Sequence, residues 1–242
     1  MSPSSPSDSD VSRQEGIVRS VLGHAGSGKR TADAQLRALN ELPFLTEQVR
    51  NSHIQLLASD PVPPKIDPQK VRKRQVENCL LSEALQVDHH VLYFNIFTST
   101  NEIVLDHDSD HLVGLMILEG VRQIGMAASH IWGDIPLETR MSLQEFSLYF
   151  YNYIELGVPL VARVIGTLSY EENLRADQVA FIDVRQSGVT CLAGTSSGRL
   201  FTTEERYRRI RDKTELMNGR YAGAFAAEVA ALDHPPTQGA AS

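Results

Sequence analysis

Two short stretches concentrate the side chains able to do chemistry. From His111 to Trp132 the only formally charged residues are Glu119 and Arg122, set among Leu, Val, Met, Ile, Ala and Gly. With Gln123 and Met126 they stand at i, i+3, i+4 and i+7, so acid, guanidinium and amide share one helical face. Ions in apolar surroundings are costly unless paired or hydrogen-bonded. One reading is an ion pair that fastens the helix to a loop or a partner chain. The other is a polar site in an apolar tunnel, with a carboxylate whose shifted pKa suits general-base work. Just upstream lies Asp106-His107-Asp108-Ser109-Asp110-His111. Asp110 is a candidate N-cap for the helix. The amides of Leu112 to Gly114 are candidates for an oxyanion hole at a helix start. Gly114 permits close approach of a substrate. The acids and histidines lack a zinc or calcium ligand spacing, so neither a metal nor another cofactor is expected.

These residues need a scaffold. Residues 1 to 15 are mostly Ser, Pro, Asp and Gln and read as a disordered tail. From 16 to 64 a helical extension is expected, from Ala32, Leu36, Leu39 and Leu42, then Leu45, Val49 and Ile54. Asp60-Pro61-Val62-Pro63-Pro64 ends it. The main domain is placed at 65 to 215, with a C-terminal helix and loose tail from 216 to 242. Within it Val76 to Leu85 and Val91 to Thr98 are apolar runs of strand length. The long apolar helix follows, closed by Gly133 and Pro136. Strand-like runs then cover Met141 to Leu156, Leu160 to Ser169, Val179 to Gln186 and Val189 to Thr195, with a tight turn at Gly188. One helix this apolar must be buried, and the sheet is the only partner long enough. The expectation is an α+β fold, an antiparallel sheet wrapped around one long central helix.

The run Leu105-Asp106-His107-Asp108-Ser109-Asp110-His111-Leu112-Val113-Gly114-Leu115-Met116-Ile117-Leu118-Glu119-Gly120-Val121-Arg122-Gln123 resembles the signature of the A-factor biosynthesis hotdog family. That pattern is approximately D-H-x-x-D-H-x-x-G-[ML]-x-x-[LI]-E-[AG]-x-R-Q. Arg72 to Leu81 resembles the family's opening strand. Tyr153-Ile154-Glu155-Leu156-Gly157-Val158-Pro159 and Gln186-Ser187-Gly188 resemble two later stretches, so the likeness spans about residues 70 to 200. It implies a hotdog fold and transfer of a β-ketoacyl group from an acyl carrier protein to the hydroxyl of dihydroxyacetone phosphate, in the making of a γ-butyrolactone signal. The acyl donor is thus a carrier-protein or coenzyme A thioester, and the acceptor a small phosphorylated alcohol. By the same resemblance Glu119 is the base or orienting acid, Arg122 the candidate for the substrate phosphate, and Gln123 the holder of a carbonyl or hydroxyl. His107 and His111 complete the catalytic candidates, while Asp106, Asp110, Gly114 and Leu115 are the candidate substrate contacts. The better-known lactone synthases carry two hotdog units in one chain and this chain has room for one, so a homodimer is expected. The rival readings are a hotdog dehydratase or thioesterase, with His107 or His111 sharing proton work with Glu119, and a non-catalytic acyl-binding module.

The remaining chain narrows the field. Of 242 residues 42% are hydrophobic and 22% charged, with net charge −7, a sign that argues against non-specific nucleic-acid binding. No run is long enough for a membrane span and no secretory signal is visible, so a cytoplasmic protein is expected. Cys79 and Cys191 sit in apolar runs and read as buried thiols rather than a disulfide. Gly23 to Thr31 nearly spells a phosphate-binding loop, but Arg30 stands where the metal-binding Ser or Thr belongs. Lys65, Lys70, Arg72, Lys73, Arg74 and the basic residues from Arg206 to Lys213 are either a docking surface for an acidic carrier or a solvated face. Phe146, Tyr149, Phe150, Tyr151 and Tyr153 read as sheet packing.

Overall fold

The computed structural model describes residues 8–22, 29–42, 62–103, 108–133, 135–171, 175–201 and 203–233. In chain order they form α1 (Asp8–Leu22), α2 (Lys29–Asn40), two short 3-10 turns (Pro68–Val71 and Val76–Asn78), β1 (Leu85–Asp88), β2 (Val91–Ile96), α3 (Gly114–Gly133), β3 (Arg140–Phe150), β4 (Leu160–Glu171), β5 (Arg175–Gln186), β6 (Val189–Phe201) and α4 (Glu204–Asp233). The six strands make one antiparallel sheet in the order β1-β2-β4-β5-β6-β3. The fold is α+β of the expected kind, a hotdog.

Both faces of the sheet are covered, and strand alternation sorts the side chains between them. Leu92 and Phe94 of β2, with Ala162, Val164, Ala180 and Ile182, pack against Ile117, Val121, Ile124 and Ala128 of α3. Their neighbours Val91, Tyr93, Val161, Ile165 and Phe181 point the other way, onto Val18 and Leu22 of α1 and Leu39 of α2. The N-terminal extension is therefore the second cover of the sheet. At Gly166 the layers close so tightly that an added Cβ would lie 2.5 Å from the Val179 carbonyl oxygen and 2.7 Å from the Trp132 ring. Ser187 and Gly188 both take positive φ, 50° and 80°, the geometry of a two-residue hairpin turn joining β5 to β6.

Several expected boundaries move. Residues 8–15 are helical, because Val11, Gln14 and Val18 fall on the inward stripe of α1 and Glu15 pairs with Arg19 at 3.3 Å. Of the expected strand from Val76 to Leu85, only Leu85 is in one, as the first residue of β1. The stretch holds a 3-10 turn, then Leu80 and Leu81 cross the end of β2, where Phe97 N donates to Leu80 O (2.7 Å) and Leu81 bridges Ile96. β3 stops at Phe150 because the amides of Tyr151 and Asn152 both turn to the Cys191 carbonyl. The helix starts at Gly114 rather than His111, since the Leu112 amide is drawn to Ile154 O at 2.8 Å. Leu45, Val49, Ile54, residues 23–28 of the phosphate-loop look-alike and both chain ends lie outside the described residues, while its last three, Lys29 to Thr31, open α2.

Residues from Thr203 onward form a separate unit. The expected boundary at residue 215 falls inside α4, which runs unbroken through it. Its basic residues are partly neutralised along the helix by i,i+4 pairs, Arg208 with Glu204 (3.4 Å) and Arg209 with Glu205 (2.5 Å).

Candidate functional site

α3 carries the central string, and the structure divides its functional groups between two places. The first is a clasp on the flank of the helix. Glu119 receives Arg122 through two bonds, Nε to Oε2 at 2.7 Å and Nη2 to Oε1 at 2.8 Å. Lys73 Nζ lies 2.8 Å from the same carboxylate and also pairs with Glu102. Gln123 Nε2 adds a third donor to Glu119 at 3.0 Å. Burial alone would raise the Glu119 carboxyl, but the bonds from Arg122, Lys73 and Gln123 overcome it and hold the group at about 2. The Lys73 ammonium is opposed by burial yet net raised by its two carboxylates, and Arg122 is raised by Glu119. A carboxylate so stabilised is a very weak base, and its geometry is that of an ion cluster tying α3 to the turn at Val71–Lys73.

Gln123 is placed inside the clasp. It is fully buried, its oxygen accepts the Leu80 amide at 2.8 Å, and its nitrogen donates to Asn78 O at 3.1 Å as well as to Glu119. The described hydrogen bonds of this amide are all to the protein. Lys73, missed by the sequence reading, reaches Glu119 because Arg72 adopts a left-handed conformation (φ 59°) after the turn capped by Asp67. That bend sends Arg72 to the Thr139 carbonyl and Lys73, 8% exposed at its side chain, into the clasp.

The second place is an open cleft of about 610 Å³ at the start of α3. It is lined by His111, Leu112, Gly114 and the segment from Phe150 to Ile154. His111 Nδ1 lies 2.7 Å from Asp110 Oδ1, and the histidine ring packs on Tyr153 with centroids 4.8 Å apart. The bond from His111 holds the Asp110 carboxyl below its usual range. Asp110 engages Nδ1, so Nε2 is the ring nitrogen that does not face this carboxylate. Asp110 does not cap the helix, because its side chain is exposed and turned to His111, four residues ahead of Gly114. The oxyanion expectation also shifts. Leu112 N is taken by Ile154 O and Met116 N by Val113 O, which leaves the amides of Gly114 and Leu115 as the first-turn donors without an intrahelical acceptor. Leu115 itself is 59% exposed and outside the cleft lining.

The flanking stretches of the string meet here. Glu155 bridges His111, and Gln186 holds the same loop by accepting the Glu155 amide (2.9 Å) and donating to the carbonyls of Glu155 (2.9 Å) and Val158 (3.1 Å). Glu119 lies five residues beyond Gly114 and Arg122 eight, roughly 7.5 and 12 Å along the axis. The clasp is thus displaced from the cleft of its own chain. Asp106 and His107 lie outside the described residues. Among the described residues no group of three His, Cys, Asp or Glu could hold a metal ion, and no helix is long and apolar enough to cross a membrane.

Solved structures that resemble this chain include a thioesterase of Haemophilus influenzae (13% identity, 49% of this chain and 76% of that one, TM-score 0.38). A mutant thioesterase of Pseudomonas aeruginosa gives 12%, 60% and 98%, with TM-score 0.42. A homologue of HP0420 from Helicobacter felis gives 10%, 57% and 89%, with TM-score 0.41. No curated protein matches the chain. The A-factor biosynthesis hotdog domain matches residues 54–202, more than half of the chain and all of the clasp and the cleft, so the protein belongs to the A-factor biosynthesis hotdog family.

Proposed function

We propose that the protein is an acyltransferase that moves a β-ketoacyl group from a carrier-bound thioester to the hydroxyl of a small phosphorylated acceptor resembling dihydroxyacetone phosphate. The observation that carries this reading is the Asp110–His111 pair beside the start of α3 on the wall of the cleft. The thioester carbonyl rests against the first-turn amides at Gly114, where the helix dipole favours the developing oxyanion. His111 Nε2 takes the proton of the acceptor hydroxyl as its oxygen bonds to the carbonyl carbon; collapse expels the thiolate, which recovers that proton. The described lining contains a base but neither Ser nor Cys, which suits direct transfer without an acyl-enzyme. Glu119, Arg122 and Gln123 serve this chemistry by fixing α3, in the orienting role rather than as base. The exposed apolar groups around the helix start, Leu115, Phe150, Tyr153 and Leu156, support a homodimer in which the second copy covers them.

The test is mass spectrometry on a β-ketoacyl thioester with and without dihydroxyacetone phosphate. The reading expects a phosphorylated ester, with turnover falling about 10²–10⁴-fold in His111→Gln. Free acid or an enoyl product regardless of the acceptor identifies a thioesterase or dehydratase. A His111→Gln variant at full rate overturns the assignment of the base.

A further inference from the structure

The N-terminal extension reaches the cleft from the opposite side of the sheet. Tyr151, the first residue after β3, lines the cleft and also packs in the outer-face cluster with α1 and α2. Its hydroxyl donates to Asp33 Oδ1 of α2 at 2.8 Å, across 118 residues of sequence. Its amide donates to Cys191 O at 2.8 Å. Burial raises the phenol, and the Asp33 carboxylate pushes it further up, so Tyr151 remains a neutral donor. Two residues on, Tyr153 carries the His111 ring, and Ile154 O holds Leu112 N. The start of this wall is thus fixed by β6 on one side and by α2 on the other. α2 is itself anchored, since Asn40, two turns after Asp33 and on the same face, accepts Arg163 Nη1 at 2.8 Å.

We infer that Asp33 is a positioning residue of the cleft, acting through Tyr151 on the wall that carries Tyr153 and His111. The inference rests on the reading of the cleft as the acyl-transfer site, and it makes α2 a part of that site rather than packing alone. An acid at residue 33 suits the task because a phenol hydroxyl donates a stronger bond to a charged acceptor than to a neutral one.

The experiment uses the full chain with Asp33→Ala, Asp33→Asn, Tyr151→Phe and the Ala/Phe double variant. The probes are 3-oxooctanoyl coenzyme A with dihydroxyacetone phosphate, followed by steady-state kinetics, and the His111 Cε1–H resonance, identified by its loss in His111→Gln. Asp33→Ala and Tyr151→Phe are each expected to raise KM for the thioester about tenfold with kcat within about twofold. The double variant should be no worse than either alone, as for two partners of one bond. Asp33→Asn, whose amide oxygen still accepts, should restore most of the loss, and the His111 resonance should move in the first two variants and stay in the third. Unchanged KM with an unmoved resonance overturns the inference. So does a loss of kcat, KM and Tm together that Asp33→Asn fails to rescue, which marks a purely structural bond. If the wild type does not turn over this β-ketoacyl thioester, the acyl-transfer reading fails, and the His111 resonance alone still decides whether Asp33 sets the wall.

Discussion

Replacing Glu119 with Gln removes the anion that Lys73 and Arg122 share while keeping the side chain's shape. In the folded chain this carboxyl is held at about 2 against an ordinary 4.5. At ~1.36 kcal/mol per pK unit that interval is worth about 3 kcal/mol of folding free energy at neutral pH. The figure is an upper value, because the Arg122 side chain is 36% exposed and water screens its share. A loss of about 2–3 kcal/mol is therefore expected for Glu119→Gln at pH 7. The sign with pH follows from the depressed folded-state value. The stabilisation is complete above the unfolded carboxyl's 4.5 and is lost as pH falls through the interval down to about 2. Urea unfolding followed by circular dichroism, at pH 7, 5 and 3, should show wild type and variant far apart at the first two and converging at the third. A gap unchanged between pH 7 and pH 3 would refute the argument, since it would place the stabilisation in shape or neutral hydrogen bonds. Full stability with abolished turnover would return Glu119 to the catalytic role the sequence suggests.

Gln123→Leu leaves the buried Leu80 amide and Asn78 carbonyl without partners, for an expected loss of about 2–5 kcal/mol. Hydrogen exchange reads it directly: the Leu80 amide should lose protection, and an amide that stays protected contradicts the clasp. Gly166→Ala drives a methyl into the Val179 carbonyl and the Trp132 ring, and should cost about 1–3 kcal/mol or more, visible as a lowered Tm with altered tryptophan fluorescence.

The buried helix, the late strands and the hairpin at Gly188 were legible because each is written in local periodicity or turn chemistry. The boundaries that failed depend on distant partners. Leu80 and Leu81 look like the middle of a strand, and only their partners Ile96 and Phe97, at the end of β2, show that they cross a strand end. Asp110 has the type and place of an N-cap, but Ile154 draws Leu112 out of helical geometry. Lys73 reads as one of a run of surface cations until the left-handed Arg72 turns it inward. The chemistry of Glu119 was legible as a choice between ion pair and base, and only the number of its donors could weigh one against the other. Asp33 carries no signal at all in the sequence, because its partner lies 118 residues away, beyond three strands and the central helix.

The position of β3 has a consequence for synthesis. It is made before β4, yet among the described residues its only strand partner is β6, and Arg140 pairs with Phe201. On a ribosome adding about 5–20 residues per second, this strand waits several seconds with its backbone groups unpaired. The clasp has no such delay, since Val71 to Gln123 emerge together and ahead of it. In that interval β3 is complete while its partner strand is not, so the backbone edge that β6 later takes stays open.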